Sequence, residues 1–286
     1  MPDRGTSGRG TSVRALLELV RAPSALSVPG DTVTGAVAAG TPGWNTALLA
    51  LSSACLYWSG MAANDWADRA IDGRERPERP IPSGRVAPGT ALGIAVGLSL
   101  AGVGLSAVAG GRRASAVATA LTCSVWAYDL RLSRTLAGPT GMAICRGLDV
   151  LLGARGRIDH RTLSAALTVA GHTGTVTVLS HGEVAGTRPV VPAATLATTV
   201  AVAAVPRGRL GRILAMLYLA AYGTAQVRAM TDPSGASVRS AVVDGITGLP
   251  LLQGALVAGH RAPKAGALIS LAAPAGWLLA RRVSPT

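Results

Sequence analysis

The chain has 286 residues, 49% hydrophobic and 14% charged, with a mean hydropathy of +0.40. A soluble domain carries about a quarter charged residues, so no sizeable soluble domain remains, and the length suits one membrane domain of roughly eight to ten spans at about 20 residues each. The formal net charge is +13, and Lys264 is the one lysine; the arginines stand at the ends of apolar segments rather than clustered on a soluble fold, which argues against a nucleic-acid binder and suits loops facing anionic lipid or an anionic substrate.

Residues 1–13 are polar and glycine-rich and read as a disordered tail, and 14–286 read as a single membrane domain. Residues 14–23 read as a short basic amphipathic helix lying at the interface. The first apolar segment spans about 24–41, with Asp31 inside it, and the second about 45–64. Further segments cover 88–109, 113–130, 138–154, 162–180, 189–206, 210–229, 246–260 and 265–280. The last two count as one broken span, giving about nine crossings. Frequent Gly, Ala and Ser favour close helix contacts in lipid. Cys55, Cys123 and Cys145 fall in apolar stretches without metal-ligand spacing and read as buried small side chains. No cleavable leader is expected at the N-terminus.

The loops alternate in character. Those near 42–44, 110–112, 155–161 and 206–211 are brief, whereas 65–87, 131–137, 181–188 and 230–245 carry the unusual polar residues. Crossing at each segment puts the second group on the side of the N-terminus. Arginine counts favour the cytoplasm for that side, although 155–161 and 206–212 are also arginine-bearing.

The densest charge lies in NDWADRAIDGRERPERPIPSGR, residues 64–85. If the second helix continues through it, Asn64, Asp65, Asp68 and Asp72 share one face. Stacked carboxylates repel unless a cation is shared, and hard oxygen ligands beside a phosphate suit Mg²⁺. The competing reading is a solvated loop in which the aspartates pair with Arg69, Arg74 and Arg76. Pro77, Pro80 and Pro82 then forbid regular helix, Gly84 permits a turn, and Arg79 and Arg85 are presented to an anion or anchor the loop at the interface.

These residues resemble the first signature of the UbiA superfamily of membrane prenyltransferases, and the span pattern agrees over about 20–280. The resemblance implies an all-α polytopic bundle of about nine transmembrane helices around a central cavity. It implies transfer of a prenyl group from an isoprenyl diphosphate to a lipophilic, often aromatic, acceptor. By match to the motif, Asn64, Asp65, Asp68 and Asp72 take the Mg²⁺ side, with Asp68 and Asp72 at the chemistry, and Arg79 and Arg85 are diphosphate contacts.

The family's second aspartate motif is reduced here. The corresponding loop, LSHGEVAGTRP at 179–189, has Glu183 as its one carboxylate, so Glu183 is the candidate for a second metal position, with His181 and Arg188 nearby; the alternative is a surface turn. Asp232 and Asp244, far apart in the 230–244 stretch, are each weaker candidates. Tyr128 matches a family tyrosine, and Arg131 or Arg134 stands in for the lysine expected after it. Arg146 is a further candidate diphosphate contact oriented by Asp149, or the two form an ion pair along one helix face. Asp31 should face the bundle interior. The expected protein is a multi-pass cell-membrane enzyme with the aspartate loop and N-terminus cytoplasmic. A non-catalytic prenyl-lipid binder and a multispan transporter are the other two readings.

Overall fold

The computed structural model describes residues 12–21 and 28–283, and every regular element among them is helical. Most of the tail expected at 1–13 lies outside the described residues. Ser12 and Val13 do not: the Ser12 hydroxyl accepts from the Ala15 N–H and caps α1, Val13–Leu19. The elements that follow are α2 (Val28–Ala38), α3 (Trp44–Glu75), α4 (Pro88–Ala127), α5 (Gly138–Gly153), α6 (His160–Ser180), α7 (Val190–Ala203), α8 (Arg209–Tyr218), α9 (Thr224–Thr231), α10 (Gly235–Gly259), α11 (Pro263–Ser270) and α12 (Ala272–Val283). The start of the expected first span, 24–27, lies outside the described residues.

The expected all-α membrane bundle is what forms. Among the described residues, three helical stretches are long and apolar enough to cross a bilayer: Trp44–Glu75, Pro88–Leu132 and Gly235–Gly259. The second of these is bent back on itself. Gly111 sits at φ 69°, ψ −161°, so the predicted loop 110–112 is a one-residue break between two arms, 88–110 and 112–132. A π-helical turn, Tyr128–Leu132, closes the second arm, and another, Leu219–Gly223, joins α8 to α9. Packing runs in a ring: α2 on α3, α3 on α4, α4 on α5, α5 on α6, α6 on α7, α7 on α9, then α10 on α8, α9 and α2, with α11 and α12 against α10.

Small residues set this ring. A Cβ on Gly153 would stand 2.5 Å from the Thr32 Cα, and one on Gly35 would stand 2.9 Å from the Ala154 nitrogen. Helices α2 and α5 therefore cross backbone to backbone. Between α3 and α4, Ser52 donates to the Gly102 carbonyl at 2.7 Å and Ser59 to the Ala95 carbonyl at 2.8 Å. Ser99 joins Ser59 at 2.6 Å and accepts from the Trp126 indole at 3.1 Å. In lipid, where water is absent, such bonds hold helices in register.

Two boundaries differ from the sequence reading. Residues 235–245, expected in a loop, are the first turns of α10. Ser234 caps that helix by accepting from the Ser237 N–H, and Asp232 accepts from both serine hydroxyls. A polar helix start lowers mean hydropathy and hides from an apolar window. Helix α3 runs 32 residues, about 48 Å at 1.5 Å per residue, against a hydrocarbon core of about 30 Å. It is thus longer than a crossing requires, and its last turns carry the aspartates. Cys55 and Cys145 are buried as expected, but Cys123 is exposed.

The two sets of loops gather at opposite ends. Arg134 of 131–137 reaches Asp68 of α3, and the 181–188 loop is tied to the start of α10. At the far end Arg157 donates to the Ala39 carbonyl, and Gly156 packs on Arg113.

Candidate active site

Helical spacing places Asp65, Asp68 and Asp72 on one face of α3, and each meets an arginine from elsewhere. Arg79 donates to Asp72 at 2.6 Å and to Asp65 at 3.2 Å. It returns from the proline loop, whose turns are closed by Ser83 N–H to Arg79 C=O and Val86 N–H to Pro80 C=O bonds. Gly84, at φ 73°, turns the chain toward α4. Arg134 donates to Asp68 at 2.8 Å. Asn64 donates to the other Asp68 oxygen at 3.4 Å. Among the described residues the solvated-loop pairing with Arg69, Arg74 and Arg76 does not form; Arg69 lies over the Trp66 ring at 4.7 Å.

Two members of this site were not singled out in the sequence. Arg21, just past the end of α1, donates to Asp65 at 3.0 Å and lies 3.6 Å from the Met61 sulfur. It holds φ 47°, a left-handed conformation that a non-glycine residue adopts at a cost in strain. Asp129 follows Tyr128 in the π turn. It is 6% exposed, and its Oδ2 has no hydrogen-bond partner. That oxygen faces α3, 3.1 Å from where a Cβ on Gly60 would stand. The sole sequence signal for Arg21 was a basic amphipathic segment near an acidic one. For Asp129 it was a carboxylate beside a motif tyrosine at the end of a span.

Four carboxylates thus stand against three guanidinium groups, and the donors facing the gap are oxygens. Among the described residues no three His, Cys, Asp or Glu side chains form a ready-made metal cage, because the arginines stand between the carboxylates. The excess carboxylate and the orphaned Asp129 oxygen fit a hard divalent cation that arrives with an anionic ligand. Tyr128 packs beside Gly141 at the base of this group.

The other candidates lie elsewhere. Arg85 is held by Glu18 of α1, the Ser83 hydroxyl and the Glu78 carbonyl, and its guanidinium holds the Glu18 carboxyl below the usual carboxylate range. It braces α1 on the proline loop and is not with the aspartates. Arg131 is exposed on the π turn. Arg146 is neither at the mouth nor paired with Asp149. Its Nε meets Asp31 at 2.8 Å, and Gln253 donates to Asp31 at 2.7 Å. Asp31 is fully buried, facing inward as expected. This group lies level with Ser53 of α3, beside Asp149, 12 residues and so about 18 Å below Asp65.

Glu183 stands at the same end as the aspartates. Its loop is pinned by Thr187 N–H to Pro233 C=O, at 2.9 Å, and by Arg239 to the Glu183 carbonyl, at 3.1 Å. A Cβ on Gly235 would stand 2.8 Å from the carbonyls of both Glu183 and Val184. Partial burial raises the Glu183 carboxyl above its ordinary value, and Arg239 offsets this in part. Asp232 is used in capping α10.

A profile of the UbiA prenyltransferase family matches residues 31–243. Among characterised proteins, digeranylgeranylglyceryl phosphate synthase of Methanopyrus kandleri is 35% identical over 144 residues, 50% of this chain and 53% of that protein. The bacteriochlorophyll synthase 33 kDa chain of Rhodobacter capsulatus is 38% identical over 133 residues, 43% of this chain and 42% of that one. The chain spans about half the length of the curated relatives it matches. Two solved structures share the fold over 87% of this chain and 98% of theirs. One is from a study of digeranylgeranylglyceryl phosphate synthase in membranes, with a TM-score of 0.68 at 15% identity. The other is a UbiA homolog from Aeropyrum pernix K1, with a TM-score of 0.64 at 17% identity.

Proposed function

This chain belongs to the UbiA prenyltransferase family, and from that premise we propose that it is a membrane enzyme transferring a prenyl group from an isoprenyl diphosphate to a lipophilic acceptor. The observation that carries the reading is the face of α3, where Asp65, Asp68 and Asp72 meet Arg21, Arg79 and Arg134. In this reading Asn64, Asp65, Asp68, Asp72 and Asp129 are the oxygen donors that would hold Mg²⁺, which would supply positive charge to the leaving diphosphate.

Arg79, Arg134 and Arg21 turn from the aspartates to the diphosphate oxygens, for which planar guanidinium is well matched. The allylic C–O bond breaks with its electron pair passing to the diphosphate. The acceptor's electron pair forms the new bond to carbon, and the acceptor's proton leaves to solvent at the mouth. The apolar bundle below houses the prenyl tail and keeps water from the electron-poor carbon. Glu183, across the mouth, supports a second metal position, and the mouth opens to the cytoplasm.

The reduced 181–188 loop favours a second reading, a relative that binds prenyl diphosphate without turnover. Diphosphate release separates the two. Purified protein with a series of allylic diphosphates of increasing chain length, a panel of lipophilic acceptors and Mg²⁺ should release diphosphate and form prenylated product. Tight binding with no release under every pairing would support the binder.

A further inference from the structure

The end of the bundle remote from the aspartates has its own cavity, of about 610 Å³. Helix α6 separates the two ends by its 21 residues, about 30 Å. The rim is formed by His160, Arg161, Arg207, His260 and Arg261, and the floor includes Val37 and Leu256. Five potential cations thus arrive from three separate places: the start of α6, the 204–208 turn and the end of α10.

None of these arginines forms a salt bridge among the described residues, whereas the neighbouring Arg157 is held by Asp159 at 2.9 Å. Among the described residues Asp159 is the carboxylate that acts on His260. It is occupied by that pair and by the N–H groups of Arg161 and Thr162, which hold it below the usual range. His260 is pushed below its ordinary value by burial and by Arg161 and Arg207.

The helix-dipole preference accounts for Arg261, just past the C-terminus of α10, but not for the other two arginines. Arg161 lies in the first turn of α6, and Arg207 stands two residues before α8. Both are at the positive end of a helix dipole, where a cation is disfavoured. Arg261 holds φ 67°, a left-handed position usually given to glycine. Three exposed arginines from three parts of the chain thus line one cavity without a salt-bridge partner among the described residues, and an anion supplies the missing counter-charge.

We propose that this pocket binds a phosphate ester, with guanidinium groups of Arg161, Arg207 and Arg261 on its oxygens. The apolar floor beneath a cationic rim suits the head and first methylenes of an anionic membrane lipid; a soluble phosphate would use the same rim alone. The site is separate from the proposed prenyl transfer and stands or falls independently of it.

The test uses the full chain in nanodiscs of phosphatidylcholine doped with a photoactivatable phosphatidylglycerol. The label should map to peptides carrying residues 205–209 and 256–261, and unlabelled phosphatidylglycerol, not phosphatidylcholine, should compete it. The triple variant Arg161→Gln, Arg207→Gln, Arg261→Gln should lose labelling at least tenfold. The triple lysine variant, which keeps the charge, should retain part of it. Competition by millimolar inorganic phosphate as well would make the source a soluble phosphate at the same site. Labelling spread evenly along the helices of the wild type, or equal labelling in the folded glutamine variant, with no protection by phosphate, overturns the proposal. The wild-type map decides the matter even if the glutamine variant does not fold. Diphosphate release from the aspartate end serves as an independent control on each protein.

Discussion

The Arg79 guanidinium reaches back seven residues to Asp72, at 2.6 Å, and touches Asp65 at 3.2 Å with the same nitrogen. One cation therefore holds two turns of α3 together. The rigid proline loop delivers it, so the aspartates and their counter-charge are preset by a single local segment. Replacing Arg79 with Gln leaves two largely buried carboxylates without their shared partner. Apparent stability should fall by about 2 kcal/mol, below the value for a fully buried pair because Arg79 is partly exposed. Thermal unfolding in detergent checks this, and a midpoint equal to wild type would remove Arg79 from the structural account.

Asp68 pairs with an arginine from a different loop, so its loss should be felt mainly in function. Asp68→Ala should lower turnover by about 10²-fold or more, the scale seen when one electrostatic stabiliser is removed. It should also abolish Mg²⁺-dependent binding of a non-hydrolysable isoprenyl diphosphate analogue. Folded variant with unchanged affinity would remove Asp68 from the metal side.

Glu183 has a carboxyl raised by burial. A raised carboxylate pKa means the folded state binds the proton more tightly than the unfolded one. Stability from this group is then fullest below the unfolded value and is lost as pH rises through the folded one. Glu183→Gln should flatten that decline and leave stability at neutral pH equal or slightly higher. Turnover should nonetheless fall, with the magnesium optimum displaced upward. Overlapping magnesium–rate curves for the two proteins would leave the α3 motif to hold the metal alone.

Gly153 meets the Thr32 backbone too closely to accept a methyl group. Gly153→Ala should push α2 from α5 and destabilise by about 1–3 kcal/mol, the usual range for overpacking. Because α2 carries Asp31, the Asp31–Arg146 pair should loosen as well. A wild-type melting midpoint would show that the two helices slide apart freely.

Sidedness is tested at Ser83, exposed in the proline loop. In a background lacking Cys55, Cys123 and Cys145, Ser83→Cys in intact cells should resist an impermeant thiol reagent and react after lysis. Reaction in intact cells would invert the topology.

Local periodicity was enough for the membrane class and for the proline loop after the aspartates, and it offered the helix through Asp65, Asp68 and Asp72 as one of two readings; α3 running on to Glu75 decided between them. Helical spacing aligns those carboxylates whatever surrounds them, and prolines end a helix wherever they fall. Pairings between helices follow a different rule. Arg21 and Arg134 reach the aspartates across 44 and 66 residues, and Arg146 chooses Asp31 over the nearby Asp149. Those choices depend on how each helix is rotated, which is set where backbones touch at Gly35 and Gly153. Asp129 and the far cationic pocket were hidden for the same reason. Their residues lie apart in the chain, and only the closed ring brings them to one place.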